Sequence, residues 1–259
     1  MRGRPLRAAA LLATTLLAGC SGAFSSSDDG SGSSSDGPLL TTTRCADLVV
    51  IGARGSTQAL DKNLGVGTEV RRTVTDLARR LHDRTDLTIR LEAVRYDSSE
   101  QASLDGYQSN VRQGADMVRD RLDALATACP DSRFALIGFS QGAQVMHTAT
   151  VDVPTDLARR IPLLAMIADP RHDPADRITQ FSFAASPVRG NGRLGAGSPI
   201  DPDLRGAAIA VCVEGDEICN DQGAPGGPPS DTHKHFYEDP EHAAVTAAQL
   251  DRVLRRNDV

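Results

Sequence analysis

Three short segments of this 259-residue chain carry side chains whose types and order fit one piece of chemistry. The first is Gly138-Phe139-Ser140-Gln141-Gly142, a Gly-x-Ser-x-Gly pattern. A serine hydroxyl is a poor nucleophile near neutral pH and needs a base to take its proton. That base is usually a histidine, held in the right tautomer by a buried carboxylate. Downstream of Ser140 the chain offers Asp216 within Cys212-Val-Glu-Gly-Asp-Glu-Ile-Cys219, and then His233-Lys234-His235. Serine, acid, histidine is a chain order in which such a triad occurs. The chemistry it would perform is nucleophilic attack on a carbonyl carbon through a covalent intermediate.

The elements needed to position these groups are legible as well. Phe134–Phe139 is an apolar run that breaks into the Gly-x-Ser-x-Gly pattern and continues as a helical one, the layout of a strand, a sharp turn and a helix. Gly138 and Gly142 leave room around the strained serine, and Gln141 falls on the first helical turn, where free N–H groups can meet an oxyanion. Further strand-like runs lie at Leu48–Ile51, Leu87–Val94, Leu163–Ala168 and Ala207–Val213. Between them, Val66, Val70, Val74, Leu77 and Leu81 share one helical face, as do Val111, Ala115, Val118, Leu122 and Leu125. Asp239-Pro240 supplies an N-cap and a first-turn proline for a last helix reaching about Arg255. Doubly apolar strands alternating with helices predict a three-layer parallel sheet, here of five strands. The Asp216 segment follows the last strand and the His233 segment precedes the last helix, both as loop or extended positions at the sheet edge where ligands bind.

Other readings compete. Asp216 could be an ordinary acidic turn residue, Ser56 a helix cap after Arg54-Gly55, and Arg54 a structural ion-pair residue. His233, His235, Asp231 and Asp239 are zinc-ligand types, but the two histidines are not an i, i+4 pair and no second cluster supports them, so no metal or other cofactor is expected. His82, His147, His172 and His242 fall on helical or loop surfaces and support no function.

Composition bounds the partners. The net charge is −6, which gives no electrostatic case for nucleic acid. Residues 1–19 read as a signal peptide: Arg2, Arg4 and Arg7 make a basic start, and Ala8–Leu17 is apolar but too short to span a bilayer. Leu17-Ala18-Gly19-Cys20 resembles a bacterial lipobox, so Cys20 is the expected lipidation site and membrane anchor of an exported, cell-envelope or secreted protein. Loss of residues 1–19 would move the charge from −6 to −9. Residues 20–44 read as a Ser/Gly/Asp-rich linker and 45–259 as the folded domain. Export would place Cys45, Cys129, Cys212 and Cys219, an even set, in an oxidising compartment.

Taken together, these segments resemble the cutinase family. Cys45-Ala-Asp-Leu-Val-Val-Ile-Gly-Ala-Arg-Gly-Ser56-Thr57 is similar to its first strand and oxyanion loop, Cys129 through Ala143 to its elbow, and Cys212-x-x-x-Asp216-x-x-Cys219 to its acid loop. The resemblance covers about Cys45 to Arg255. It implies a minimal α/β-hydrolase fold with Ser140 as nucleophile, Asp216 as acid, and an oxyanion hole from Ser56 and the N–H of Gln141. It also implies disulfides Cys45–Cys129 and Cys212–Cys219, worth roughly 4–5 and 2.5 kcal/mol by chain entropy. Periodicity leaves His233 and His235 open as the base, since residues two apart on an extended segment point the same way. The family's histidine tends to precede an aromatic by three residues, which selects His233, with Phe236 beyond it. The expected function is a monomeric serine carboxylester hydrolase acting on a lipid, polyester or small acyl ester. Acyl transfer on the same triad and a non-catalytic envelope-binding lipoprotein are the alternatives. The long Asp169–Gly206 stretch is more like bacterial cutinase-like esterases than compact fungal cutinases.

Overall fold

A computed structural model describes residues 39–223 and 227–259. The proposed signal peptide and Cys20 lie outside these residues, as does the linker as far as residue 38. Six parallel strands form one sheet: β1 (Leu48–Ala53), β2 (Ile89–Ala93), β3 (Arg133–Phe139), β4 (Leu163–Ile167), β5 (Thr179–Phe181) and β6 (Ala208–Val211). Their spatial order is β2-β1-β3-β4-β6-β5. The expected count of five is thus one short. β5 is three half-buried residues, Thr-Gln-Phe, paired to the edge of β6, and it carries neither an apolar run nor a clear alternation.

Strand residues alternate between two cores, as the pleat requires. Leu48 and Val50 of β1, with Ala135 and Ile137 of β3, face one core; Val49, Ile51, Phe134 and Leu136 face the other. The first core is closed by α1 (Thr68–His82) and α6 (Pro240–Arg256), the second by α2 (Leu104–Ala128) and α3 (Gln141–Ala149). Asp239 caps α6 by accepting from the N–H groups of Glu241 and His242, with Pro240 at its start. The short helices α4 (Thr155–Ala158) and α5 (Asp231–His235) complete the set.

The chain runs outward from β1 to β2 and then returns to place β3 on β1's other side. This reversal makes the carboxyl ends of β1 and β3 the topological switch point, where open α/β sheets bind ligands. Both disulfides form, Cys45–Cys129 across 84 residues and Cys212–Cys219 across 7. At the amino-terminal side, Leu39 and Leu40 pack against the α1/α6 core, and the Thr41 N–H donates to the Ile89 carbonyl at 2.7 Å.

Candidate active site

Ser140 occupies the turn between β3 and α3 with φ 54° and ψ −120°, a conformation costing a non-glycine residue about 1–3 kcal/mol. The neighbouring strand braces it: the Ser140 N–H donates to the Ile167 carbonyl at 2.8 Å. A Cβ on Gly138 would strike the Gly142 carbonyl, and one on Gly142 the Ala53 carbonyl, so β3, α3 and β1 approach this closely only with glycine at both sites. Gln141 opens α3, and its N–H has no carbonyl one turn back to bond.

His233 arrives differently from the extended segment expected. Residues 231–235 form α5, capped by Ser230, whose Oγ accepts from the His233 N–H at 3.2 Å. Five residues are too few to show helical periodicity, and Ser230 is the only local signal. In a helix, neighbours two apart point to nearly opposite sides. His233 is therefore buried, while the His235 side chain is 66% exposed and pairs with Glu238 at 2.9 Å. The acid loop also holds the start of this helix, because Glu217 Oε1 accepts from the Ser230 N–H at 2.7 Å.

The structure brings Ser140, His233 and Asp216 into a continuous hydrogen-bonded line. His233 Nε2 lies 3.0 Å from Ser140 Oγ, and its Nδ1 lies 3.0 and 3.1 Å from the two oxygens of Asp216. Facing a carboxylate, Nδ1 carries the hydrogen, which leaves Nε2 to accept from the hydroxyl. Asp216 is fully buried and also accepts from the Ile218 N–H and from Tyr237 Oη, both at 2.9 Å. Burial and the adjacent Asp216 charge hold the Tyr237 hydroxyl well above its usual pKa, so it stays a donor. Tyr237 completes its own network by accepting from the Val213 N–H at 3.0 Å. The Phe139 ring stacks on the His233 imidazole, with centroids 5.1 Å apart and planes 21° from parallel. Neither Tyr237 nor Phe139 was assigned a role from sequence. Tyr237 lies four residues after His233, one helical turn on, a relation visible only once α5 is known.

Ser56 lies beyond the end of β1, in a tight turn rather than at a helix start, with its Oγ 3.5 Å from the Ser98 carbonyl. Arg54 forms no ion pair among the described residues. It is buried and donates to three carbonyls, those of Gln58, Val94 and Tyr96, at 2.9, 3.1 and 2.6 Å. Two histidines read as surface residues are buried as well. His172 Nδ1 meets the Cys219 carbonyl at 2.8 Å, beneath the acid ring. His147 on α3 meets Asp169 Oδ2 through Nδ1 and the Ser198 carbonyl through Nε2, each at 2.7 Å. Burial alone would lower the His147 pKa, but the Asp169 charge and the two hydrogen bonds prevail and raise it to about 9. No spacing rule links positions 147, 169 and 198. The one available hint was a carboxylate directly after the β4 run.

A cleft of about 570 Å³ runs beside the acid loop, bordered by Arg193, Glu217, Asn220 and Ser230 among others. It touches Gly215 and Glu217, on either side of Asp216, but not Ser140 or His233. Its walls carry both signs of charge, Arg193 on one hand and Glu214 and Glu217 on the other.

The chain is similar to known proteins in sequence and in fold. The cutinase family model matches residues 44–249. Carboxylesterase Culp1 of Mycobacterium tuberculosis is 28% identical over 179 residues, covering 69% of this chain and 71% of that protein. Among solved structures, a cutinase-like protein from Cryptococcus sp. superposes with TM-score 0.62 at 17% identity, covering 83% of this chain and 98% of that one. Trichoderma reesei cutinase bound to a phosphonate inhibitor gives TM-score 0.54 at 23% identity, covering 80% and 78%. These two share the fold. A fold built around a strand–serine–helix turn, with the family match spanning most of the chain, makes this protein a carboxylic ester hydrolase of the cutinase family.

Proposed function

We propose that Ser140 is the nucleophile, His233 the general base and Asp216 the acid that orients it, and that hydrolysis passes through an acyl-enzyme. The observation that carries this reading is the unbroken line from Ser140 Oγ through His233 to Asp216, with every distance between 3.0 and 3.1 Å. As Ser140 Oγ attacks the ester carbonyl carbon, its proton passes to His233 Nε2, and the imidazolium that forms faces the Asp216 carboxylate. The developing oxyanion is taken by the Gln141 N–H and by Ser56. His233 then gives its proton to the departing alcohol, and water enters by the same route in reverse to release the acid.

Residues 45–259 are the catalytic domain in this reading. Residues 1–19 direct export, and an acylated Cys20 on the linker tethers a monomeric enzyme to the cell envelope. The support is the Leu17-Ala18-Gly19-Cys20 sequence and the paired cysteines. The intact mass of the mature protein tests the anchor, which is wrong if the N-terminus is unmodified and lies beyond residue 20.

The test of the nucleophile is Ser140→Ala. Hydrolysis of short p-nitrophenyl esters should fall by roughly five to six orders of magnitude, and labelling by a serine-reactive phosphonate should vanish. Undiminished labelling of the variant would sink the assignment.

A further inference from the structure

We propose that Glu69 on α1 is a positioning residue for the oxyanion loop, acting through the side-chain amide of Gln58. The proposal rests on the reading of Ser56 as an oxyanion donor and extends it to two side chains that make no contact with the triad in hydrogen-bond distance.

The Gly55 N–H, one residue before Ser56, donates to Gln58 Oε1 at 2.7 Å. A backbone N–H can only donate, so the amide is fixed with its oxygen toward Gly55 and its nitrogen turned away. That nitrogen donates to Glu69 Oε2, also at 2.7 Å. The Gln58 carbonyl accepts from Arg54 Nε at 2.9 Å and Ser98 Oγ at 3.3 Å, and the Thr57 N–H donates to the Ser98 carbonyl at 2.6 Å. Residues 54–58 thus close on themselves around Gln58, with Thr57 held at φ 63°. Among the described residues, the hydrogen bond that ties this turn to α1 is the one to Glu69.

Glu69 is an odd residue to find there for packing alone. It is 3% exposed on the apolar face of α1 and has no cation within ion-pair distance among the described residues. Burial raises its pKa, which Gln58 partly opposes. A buried carboxyl with no cation paired to it is a burden on stability that a leucine would not impose. What it supplies is an acceptor that locks the Gln58 amide in one orientation. Without it, the amide can swing, Gly55 loses its fixed partner, and Ser56 loses the backbone that aims it. Displacements of about 1 Å at such donors cost up to about 100-fold in rate.

The experiment compares Glu69→Leu, Glu69→Gln, Gln58→Ala, the double variant Gln58→Ala/Glu69→Leu and Ser56→Ala, with kcat and KM on p-nitrophenyl butyrate and Tm for each. Glu69→Leu should lower kcat about 10- to 100-fold with KM within about threefold, while its Tm holds or rises. Glu69→Gln retains an acceptor oxygen and should restore most of that kcat. The double variant should be no slower than Gln58→Ala, because the two act as one unit. Unchanged kcat in Glu69→Leu, or effects that multiply in the double variant, would overturn the proposal. Ser56→Ala separates the two levels: if it keeps full kcat, the oxyanion reading itself fails. If it loses about 100-fold or more while Glu69→Leu loses nothing, only the Glu69 role fails.

Discussion

Among the described residues are two buried histidine–aspartate pairs, and they are built alike up to one atom. His233 meets Asp216 through Nδ1 at 3.0 Å, and His147 meets Asp169 through Nδ1 at 2.7 Å. Both acids lie beyond strand ends, Asp216 after β6 and Asp169 after β4. The difference is at Nε2. For His233 the partner is the Ser140 hydroxyl, which can donate a proton to a bare ring nitrogen. For His147 it is the Ser198 carbonyl, which can only accept, so both ring nitrogens must carry hydrogen. A carboxylate behind a histidine therefore does not make a base. The group in front decides whether the pair moves a proton or clamps a loop, and His147 clamps the 169–198 segment onto α3.

The sharpest test of this contrast is to truncate each histidine. His233→Ala should lower kcat by roughly five to six orders of magnitude with the fold intact, whereas His147→Ala should change kcat per folded molecule by less than about tenfold. Comparable losses of kcat in the two variants would erase the distinction.

Stability should show the opposite ranking. Removing His147 leaves Asp169 buried without its cation, so His147→Leu should destabilise by about 3 kcal/mol, roughly 10 °C in Tm. The native pair also predicts a pH dependence. Because the folded pKa lies above the unfolded value, at about 9 against 6.5, the folded chain keeps a proton that the unfolded chain has lost. The stabilisation is complete below about pH 6.5, fades as pH rises, and is gone above about pH 9. Denaturant unfolding across this window should lose about 3 kcal/mol in the native protein and markedly less in His147→Leu.

Smaller effects refine the catalytic side. Tyr237→Phe removes one donor from Asp216 and leaves the Ile218 N–H and His233 in place, so kcat should drop about tenfold with KM little changed. His235→Ala should stay within about twofold, since its contact with Glu238 is an exposed surface pair. A large loss in His235→Ala would mean that α5 presents the wrong histidine to Ser140.

What could be read from sequence divides along a physical line. Strands β1, β3, β4 and β6 announced themselves because burial on both faces demands continuous apolar runs, and β2 because apolar residues alternate with Thr88, Arg90 and Glu92. Helices α1 and α2 did so because one buried face repeats at 3.6 residues, and α6 by its Asp239-Pro240 start. Asp216 was marked by its flanking cysteines, and Ser140 by glycines that nothing larger could replace. β5 and α5, at three and five residues, are too short to repeat the periods that would reveal them. His147 with Asp169, and Tyr237 with Asp216, are pairings made by packing across the fold, which no local spacing encodes. Arg54 carries a charge that suggests an acidic partner, yet it donates to the Gln58 carbonyl of its own turn and to the Val94 and Tyr96 carbonyls beyond β2.

The kinks at the ends of β3 and β4 have a mechanical consequence. Ser140 has φ 54° and Ala168 has φ 55°. The first is held by the Ile167 carbonyl of β4, and the second donates its N–H to the Val211 carbonyl of β6, each at 2.8 Å. Ser140, the proposed nucleophile, and the Asp216 loop are thereby bolted to one plate through three adjacent strands, and their separation is not an adjustable dimension. The freedom to tune such an enzyme lies in the parts hung on that plate: the short helix that swings the imidazole into line, and the turn that carries Ser56. An engineer seeking a different rate or pH optimum has leverage there, and almost none in the strands.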